Sequence, residues 1–378
     1  MLDGKYFRDK LTVIKPLPSM SGVFCFFASS LPLWPNRIQQ MKYLTIAVFV
    51  VIQLSMLITS CHRSEKSPGI QPGETAAEAS GTSQIIIHRY EKALFSIPKN
   101  SFRQGLDKIA PEYKVFLGDN YSSPEATDQL LMFVADPQNQ QVYSECIKRF
   151  PDLNQLTAGF SEAFGSMKKE IPGIKIPAIY TYVSGFDFEY PIKYSDSALI
   201  IALDMYLGSD YKGYNKMGMP LYISSRLTPD HILPDCLKEI SLALIKTKKT
   251  PVLLDAMIEQ GKMLYFADAL LPETEDNIKI GYSAKQLAWC SDNEKNLWEF
   301  LIGNELLFSA EAQSMSMFMT DGPFTSSFSQ ESPARTGAWL GWQIVRAYMK
   351  NNSIPFADLL ADTDSQKILE KSGYKPGK

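Results

Sequence analysis

Residues 44–60 form a nearly unbroken apolar run, preceded by Met41-Lys42-Tyr43 and closed by Leu57-Ile58-Thr59-Ser60-Cys61. A short positive start, an apolar stretch and small residues before a cut are the order of a secretory leader. The run contains Gln53 and several hydroxyl side chains. It is near the lower length limit for spanning a hydrocarbon core of ~30 Å, so a cleaved leader is expected rather than a permanent span. Residues 62–84 (HRSEKSPGIQPGETAAEASGTSQ) hold one large apolar side chain, Ile70, and cannot bury a core. They predict a flexible tether with a reach of roughly 25 Å.

Periodic patterning starts at residue 85. Residues 85–90 (IIIHRY), 177–184 (PAIYTYVS) and 197–203 (SALIIAL) are rich in β-branched and aromatic residues and read as strands. The isoleucine triplet predicts burial on both faces of the first. Apolar positions at helical spacing predict helices at 101–117, 124–134, 138–149 and 152–170, then at 230–247, 251–267, 283–306, 333–351, 355–361 and 364–371. In the helix at 152–170, Asp152 follows Pro151 as a cap, and Leu153, Leu156, Phe160, Ala163, Phe164 and Met167 mark the buried face. No repeat and no second Pro/Gly/Ser-rich gap interrupts residues 85–378. The pattern predicts a single α+β domain, a small N-terminal sheet packed with helices followed by a mostly helical C-terminal half.

The leader ends on a lipobox. The Cys61 thiol is the acyl acceptor and Cys61 the expected first residue of the mature protein, with Thr59 and Ser60 small enough for the peptidase to approach the backbone. Forty residues before Met41 exceed what a leader needs. Residues 1–40 are therefore read as an over-extended gene start, 41–60 as the leader and 61–84 as lipidated cysteine and tether. The chain holds 38 basic and 41 acidic side chains; removing the first sixty residues, with six and two of these, leaves 32 and 39, a formal charge of −7. That balance argues against nucleic-acid partners, which draw on clustered Lys and Arg. Membrane contact is expected through the several acyl chains on Cys61. His62 is not an inner-membrane aspartate signal, and the expected place is the outer membrane, facing the periplasm. Cys146, Cys236 and Cys290 are odd in number and lack CxxC spacing, so each reads as a small apolar residue, with one pair and one free thiol as the alternative.

Several ordered runs together resemble one family. They are Asp204-Met205-Tyr206-Leu207-Gly208 with Tyr211 and Tyr214, then Pro220-Leu221-Tyr222-Ile223 with Arg226, then Met257-Ile258 with Gly261-Lys262-Met263-Leu264-Tyr265-Phe266. Ile280-Gly281-Tyr282-Ser283, Trp289 and Asn293-Glu294 follow. Ser332-Pro333-Ala334-Arg335-Thr336-Gly337, Trp339-Leu340-Gly341-Trp342-Gln343-Ile344-Val345, Tyr348-Met349 and Tyr374-Lys375-Pro376 close the series. Across nearly the whole mature domain the chain resembles the GldB gliding-motility lipoproteins of Bacteroidetes-type bacteria. The resemblance implies a lipid-anchored envelope component of gliding or of the associated secretion machinery, with envelope proteins as partners. It makes Asp204, Tyr206, Gly208, Gln260, Gly261, Lys262, Arg335, Gly337 and Trp342 the candidate motif and cleft residues.

The order of elements is also similar to a gluzincin metallopeptidase, in which an HExxH helix supplies two imidazoles and a general base and a following helix supplies a carboxylate ligand. Gln260-Gly261 stands where the second helix would carry its Glu-Gly pair. The chemistry is missing: the chain has only His62, His88 and His231, and the window from His231 through Asp235 to Glu239 has no histidine pair. Pro234 belongs in the first turn of that helix, which puts His231 before it and makes Asp235 and Glu239 first-turn acids facing the helix dipole. The expectation is a zincin-like scaffold without catalytic residues, metal or cofactor, acting by binding. The alternative is a cryptic peptidase or hydrolase in the same cleft.

No GxSxG elbow or phosphate-cradling glycine loop occurs. Gly337 and Gly341, four apart on a predicted helix, read as a close helix contact flanked by Trp339 and Trp342. Asp187, Glu189 and Asp204 read as solvated or capping acids near strand ends. The Met- and Phe-rich segment 315–328 reads as a helix-poor stretch lining the former active-site cleft, with a partner surface as the alternative.

Overall fold

The computed structural model describes residues 85–325 and 328–376. The expected leader, Cys61 and the tether lie outside the described residues. Four strands, β1 (Ile87–Arg89), β2 (Ala178–Tyr182), β3 (Ile192–Tyr194) and β4 (Ala198–Ala202), form one sheet in the order β1-β2-β4-β3. β1, β2 and β4 are parallel, with Ile87 opposite Ile179 and Ile179 opposite Leu199, while β3 runs antiparallel to β4 at the edge. Every residue of β4 is buried, which is what an unbroken apolar strand achieves when both faces are covered. The isoleucine triplet does not behave as expected. β1 is an edge strand, Ile86 is 63 % exposed, and Ile85 and Ile87 are only partly buried. β3, three residues beside Pro191, is too short to leave a periodic signal.

Between β1 and β2 the chain forms α1 (Tyr90–Phe95), α2 (Phe102–Ile109), α3 (Pro124–Ala135), α4 (Pro137–Arg149) and α5 (Asn154–Glu170). The starts of α3 and α4 follow from Ser123-Pro124 and Asp136-Pro137. Each proline sits in the first turn, where its missing N–H costs nothing, and each preceding side chain accepts from backbone amides of that turn. Asp152 accepts from the Asn154 amide at 3.0 Å, and α5 buries Phe160, Ala163, Phe164 and Met167 as its spacing predicts. The helix expected at 101–117 breaks in two, because Pro111 cannot continue the ladder; Lys114–Leu117 is a separate turn.

Beyond β4 come α6 (Ile232–Leu244), α7 (Leu253–Leu270), α8 (Asp276–Ile280), α9 (Ala284–Asp292) and α10 (Glu294–Gly303). They are followed by α11 (Ala312–Met319), α12 (Thr336–Asn351), α13 (Phe356–Ala361) and α14 (Ser365–Ser372). The helix expected at 283–306 is α9 and α10, broken at Asn293, whose amide donates to the Trp289 carbonyl. The stretch 315–328 is less helix-poor than expected, since its first part belongs to α11. Phe318 is fully buried there and Phe324 is exposed.

α7 is buried around most of its circumference and makes its most extensive contact with α12. Glycines permit this approach: a Cβ on Gly261 would enter the Gly341 carbonyl, and one on Gly341 would enter the Met257 carbonyl. Gly337 does not share that contact. A Cβ there would lie 2.7 Å from Met319 Sδ, on α11. Cys146, Cys236 and Cys290 are buried and free, which corrects the alternative of a disulfide. No helix among the described residues is long and apolar enough to cross a membrane.

Candidate functional site

A cavity of about 310 Å³ lies between the first turns of α6, the segment leading into β3, the 223–227 loop, α8, and Asp321 and Arg335. Six of its polar side chains form two clusters. In the first, Tyr206, in the 3₁₀ turn that follows β4, donates its hydroxyl to Asp235 Oδ2 at 3.0 Å, and Lys238 Nζ lies 2.6 Å from Asp235 Oδ1. Burial works against the Asp235 carboxylate, but the Lys238 ammonium, His231 and Arg226 outweigh it and hold the carboxyl below its ordinary range. Burial, with Asp235 beside it, pushes the Tyr206 phenol well up, so this hydroxyl is a donor at neutral pH.

In the second cluster one carboxylate is shared by two guanidiniums. Arg226 Nη2 lies 2.5 Å from Asp321 Oδ2, and Arg335 Nε lies 3.3 Å from Asp321 Oδ1. Arg335 is held from three sides. Its backbone is left-handed (φ 58°), an uncommon conformation for a residue with a Cβ. Its Nη2 donates to the Ile280 carbonyl at 2.9 Å, and its guanidinium lies over the Tyr282 ring. Apolar walls come from Leu227, Leu242, Met263 and Ile280, and Glu189 and Glu239 complete the rim.

The residues singled out from sequence divide between this cavity and its supports. Tyr206 and Arg335 line it. Asp204 does not: it is fully buried and accepts from the Ser184 amide and hydroxyl, each at 2.9 Å, and from the Phe186 amide at 2.7 Å. Burial pushes its carboxyl up, and these donors oppose the shift. Asp204 thus pins the turn after β2, including Phe186 at φ 68°, and is a buried clamp rather than a solvated acid. Gly208 has φ 125° and donates its amide to Leu227, tying the Tyr206 turn to the Arg226 loop. Asp187 pairs with Lys193 at 2.9 Å.

On α7 the expected third-ligand place is not over the cavity. Gln260 is half-buried and not among the lining residues, Gly261 is pressed against α12, and Met263 fills the wall. His231 precedes α6, buried, with Nδ1 2.8 Å from Thr228 Oγ1, and burial lowers its pKa. Among the described residues no group of three or more His, Cys, Asp or Glu side chains is placed to hold a metal ion. Asp235 and Glu239 both line the cavity, and Asp235, with its tyrosine and lysine partners, is more than a first-turn acid.

Lys262 is buried on α7 and donates to the Asp362 carbonyl. Burial lowers its ammonium from the ordinary 10.5 to about 8. The unfolded chain therefore binds this proton more tightly than the native one. The cost is fully present below pH 8 and is relieved as pH rises towards 10.5. In urea titrations the wild type should gain on the order of 2 kcal/mol relative to Lys262→Met across that interval; parallel curves would refute it. The nearby cavity of about 450 Å³, bounded in part by Asn352, Asp362 and Lys367, is lined by groups engaged in holding helix ends, as in the 2.6 Å Lys367–Asp362 pair.

Trp342 and Gly337 belong to the scaffold. Trp342 Nε1 donates to Asp268 Oδ2 at 2.8 Å, and Arg346 lies over the Trp342 ring at 3.7 Å. Arg346 also binds Asp268 and Asp276, and Lys279 Nζ lies 2.9 Å from Asp268. Sequence reasoning missed Lys238 as a cavity residue, had Asp321 only as part of the segment 315–328 expected to line the cleft, and left Arg226 as part of a matching run. No local spacing joins residues 226, 321 and 335.

A family model described as gliding motility protein GldB matches residues 73–376. Neither the curated proteins nor the solved structures contain a match.

Proposed function

The chain belongs to the GldB family of gliding motility proteins, and from that premise we propose a lipid-anchored envelope component that acts by binding, as a non-catalytic assembly part of gliding or its associated secretion machinery. One observation carries the binding reading. Six of the cavity's polar side chains pair with one another in the Tyr206–Asp235–Lys238 and Arg226–Asp321–Arg335 clusters, an arrangement that orients and recognises charge without pairing a nucleophile with a general base. The scaffold itself is best read as zincin-like. The antiparallel edge strand β3 packs beside α6, and α6 sets Asp235 and Glu239 one turn apart on the cavity where HExxH would set imidazoles. The anchor is Cys61, and the outer membrane facing the periplasm is the proposed place.

The test is made in the native host. Cys61→Ala should abolish labelling by a radioactive fatty acid, move the protein from the membrane to the soluble fraction, and fail to restore gliding or secretion to a deletion strain that the wild type rescues. Retention of the variant in the membrane fraction would remove the lipid anchor from the account. Chelator-sensitive peptide cleavage by the purified protein would replace binding with hydrolysis.

A further inference from the structure

We propose that the cavity receives an apolar ligand end bearing a carboxylate, and that Asp321 occupies the carboxylate subsite until the ligand displaces it. The inference rests on the reading of this cleft as a binding site and adds the chemistry of what it binds.

Two guanidiniums converge on one anion in the wall of a cavity lined about equally by polar and apolar surface, and that anion comes from the loop after α11, with its side chain 33 % exposed. The pairing is incomplete. Arg335 Nε is buried and makes no hydrogen bond, because Asp321 reaches ion-pair distance without hydrogen-bond geometry. A carboxylate arriving from the cavity can satisfy this donor, and planar anions are what a guanidinium fork matches. Arg335, in contrast, is fixed by its left-handed backbone, the Ile280 carbonyl and the Tyr282 ring, the kind of constraint found where a side chain clamps a ligand. Asp321 is the most exposed of the three side chains, at 33 % against 28 % for Arg226 and 19 % for Arg335, and besides the two guanidiniums it is held by the Gly322 amide, which donates to Oδ1 at 3.1 Å.

The rest of the cavity sets the ligand's body and direction. Ile223, Leu227, Leu242, Met263 and Ile280 give it apolar walls, and about 310 Å³ is the space of one or two residues rather than a large cofactor. Glu189 and Glu239 also line it and repel a carboxylate from their part of the wall. A peptide C-terminus with an apolar last side chain and an acidic side chain beside an apolar one share this chemistry.

The probes are N-acetyl-leucine, which carries the free carboxylate, its amide, which does not, N-acetyl-glutamic acid α-amide, which carries only a side-chain carboxylate, and inorganic phosphate. Binding to the purified full chain is followed by calorimetry and by the thermal midpoint. One or both carboxylate probes should raise the wild-type midpoint while the amide does not, and the stronger of the two identifies terminus or side chain as the source. Asp321→Asn, by removing the internal competitor, should bind that probe roughly tenfold more tightly, and adding Arg226→Gln should abolish the gain. If Asp321→Asn is too unstable to assay, the acid-against-amide comparison on wild type decides alone. Equal response to acid and amide, tighter binding of phosphate, or no response to any probe would overturn the proposal. Those results would leave membrane release by Cys61→Ala untouched, so failure of the ligand class is distinguishable from failure of the envelope role.

Discussion

Asp268→Ala is expected to lower the unfolding free energy by roughly 3–5 kcal/mol, the range for breaking a buried ionic network by removing one partner. Asp268 receives donors from three side chains on two elements: Trp342 Nε1 and Arg346 Nε and Nη2 from α12, and Lys279 Nζ from α8. Lys279 is 3 % exposed, so losing this carboxylate strands a cation that water cannot reach. Asp276 compensates only in part, because its carboxylate already takes two Arg346 donors at 2.7 and 2.8 Å and lies 3.8 Å from Lys279. Burial works against the Arg346 charge, yet Asp276 and Asp268 outweigh it and raise its pKa. Urea denaturation of Asp268→Ala, Arg346→Met and the double variant provides the check. Removing Asp268 should cost much less once Arg346 is gone, and an undiminished cost would mean that packing, not charge, holds this corner.

Gly341→Ala should be nearly as damaging, with about 3 kcal/mol lost, at the upper end of overpacking costs. The added Cβ meets the Met257 carbonyl, which is backbone in the middle of α7 and has no rotamer to change. Relief requires separating α7 from α12, whose contact buries Trp342, Ile344 and Val345 on one side and Met257, Ile258 and Leu264 on the other. Two other glycines calibrate the effect. At Gly337 the nearest neighbour is Met319 Sδ at 2.7 Å, in a flexible side chain, and the nearest backbone atom, the Phe318 carbonyl oxygen, is no closer than 3.0 Å, so alanine there should cost less. At Gly165, inside α5, a Cβ meets nothing within 4 Å, and alanine should stabilise by about 0.5–1 kcal/mol through helix propensity. Equal losses at Gly341 and Gly337 would mean that the glycine spacing, and not the backbone collision, is what matters.

The sequence discloses most of this scaffold and little of the cavity, for physical reasons. α3, α4 and α5 are legible because their starts are local: a capping side chain, a proline in the first turn, and apolar residues at helical spacing. β4 is legible because seven consecutive apolar or small residues have no other economical use. β3 is not, since three residues carry no period and the strand exists only because β4 pairs with it. The breaks at Pro111 and Asn293 show where a local interruption defeats a pattern that would otherwise run on. Asp204, Gly208 and Trp342 belong to matching runs, but sequence alone did not separate supports from cavity walls. Asp204 is a clamp because Ser184 and Phe186 present donors to it, which is a fact of three dimensions. The same holds for Asp321, an unremarkable loop aspartate until Arg226 and Arg335 close on it.

The three free thiols have a practical meaning. Cys146 sits on α4, Cys236 on α6 and Cys290 on α9, all fully buried, and burial pushes each thiol up, away from the reactive thiolate. In the native state an alkylating reagent has neither access nor a nucleophile to meet. Each cysteine therefore becomes labelled only as fast as its own neighbourhood opens, so a timed alkylation followed by peptide mass spectrometry reads local breathing beside the sheet, under the cavity and in the C-terminal helices separately. The protein carries its own set of internal clocks, and ligand binding in the cavity beside α6 should slow the one at Cys236 first.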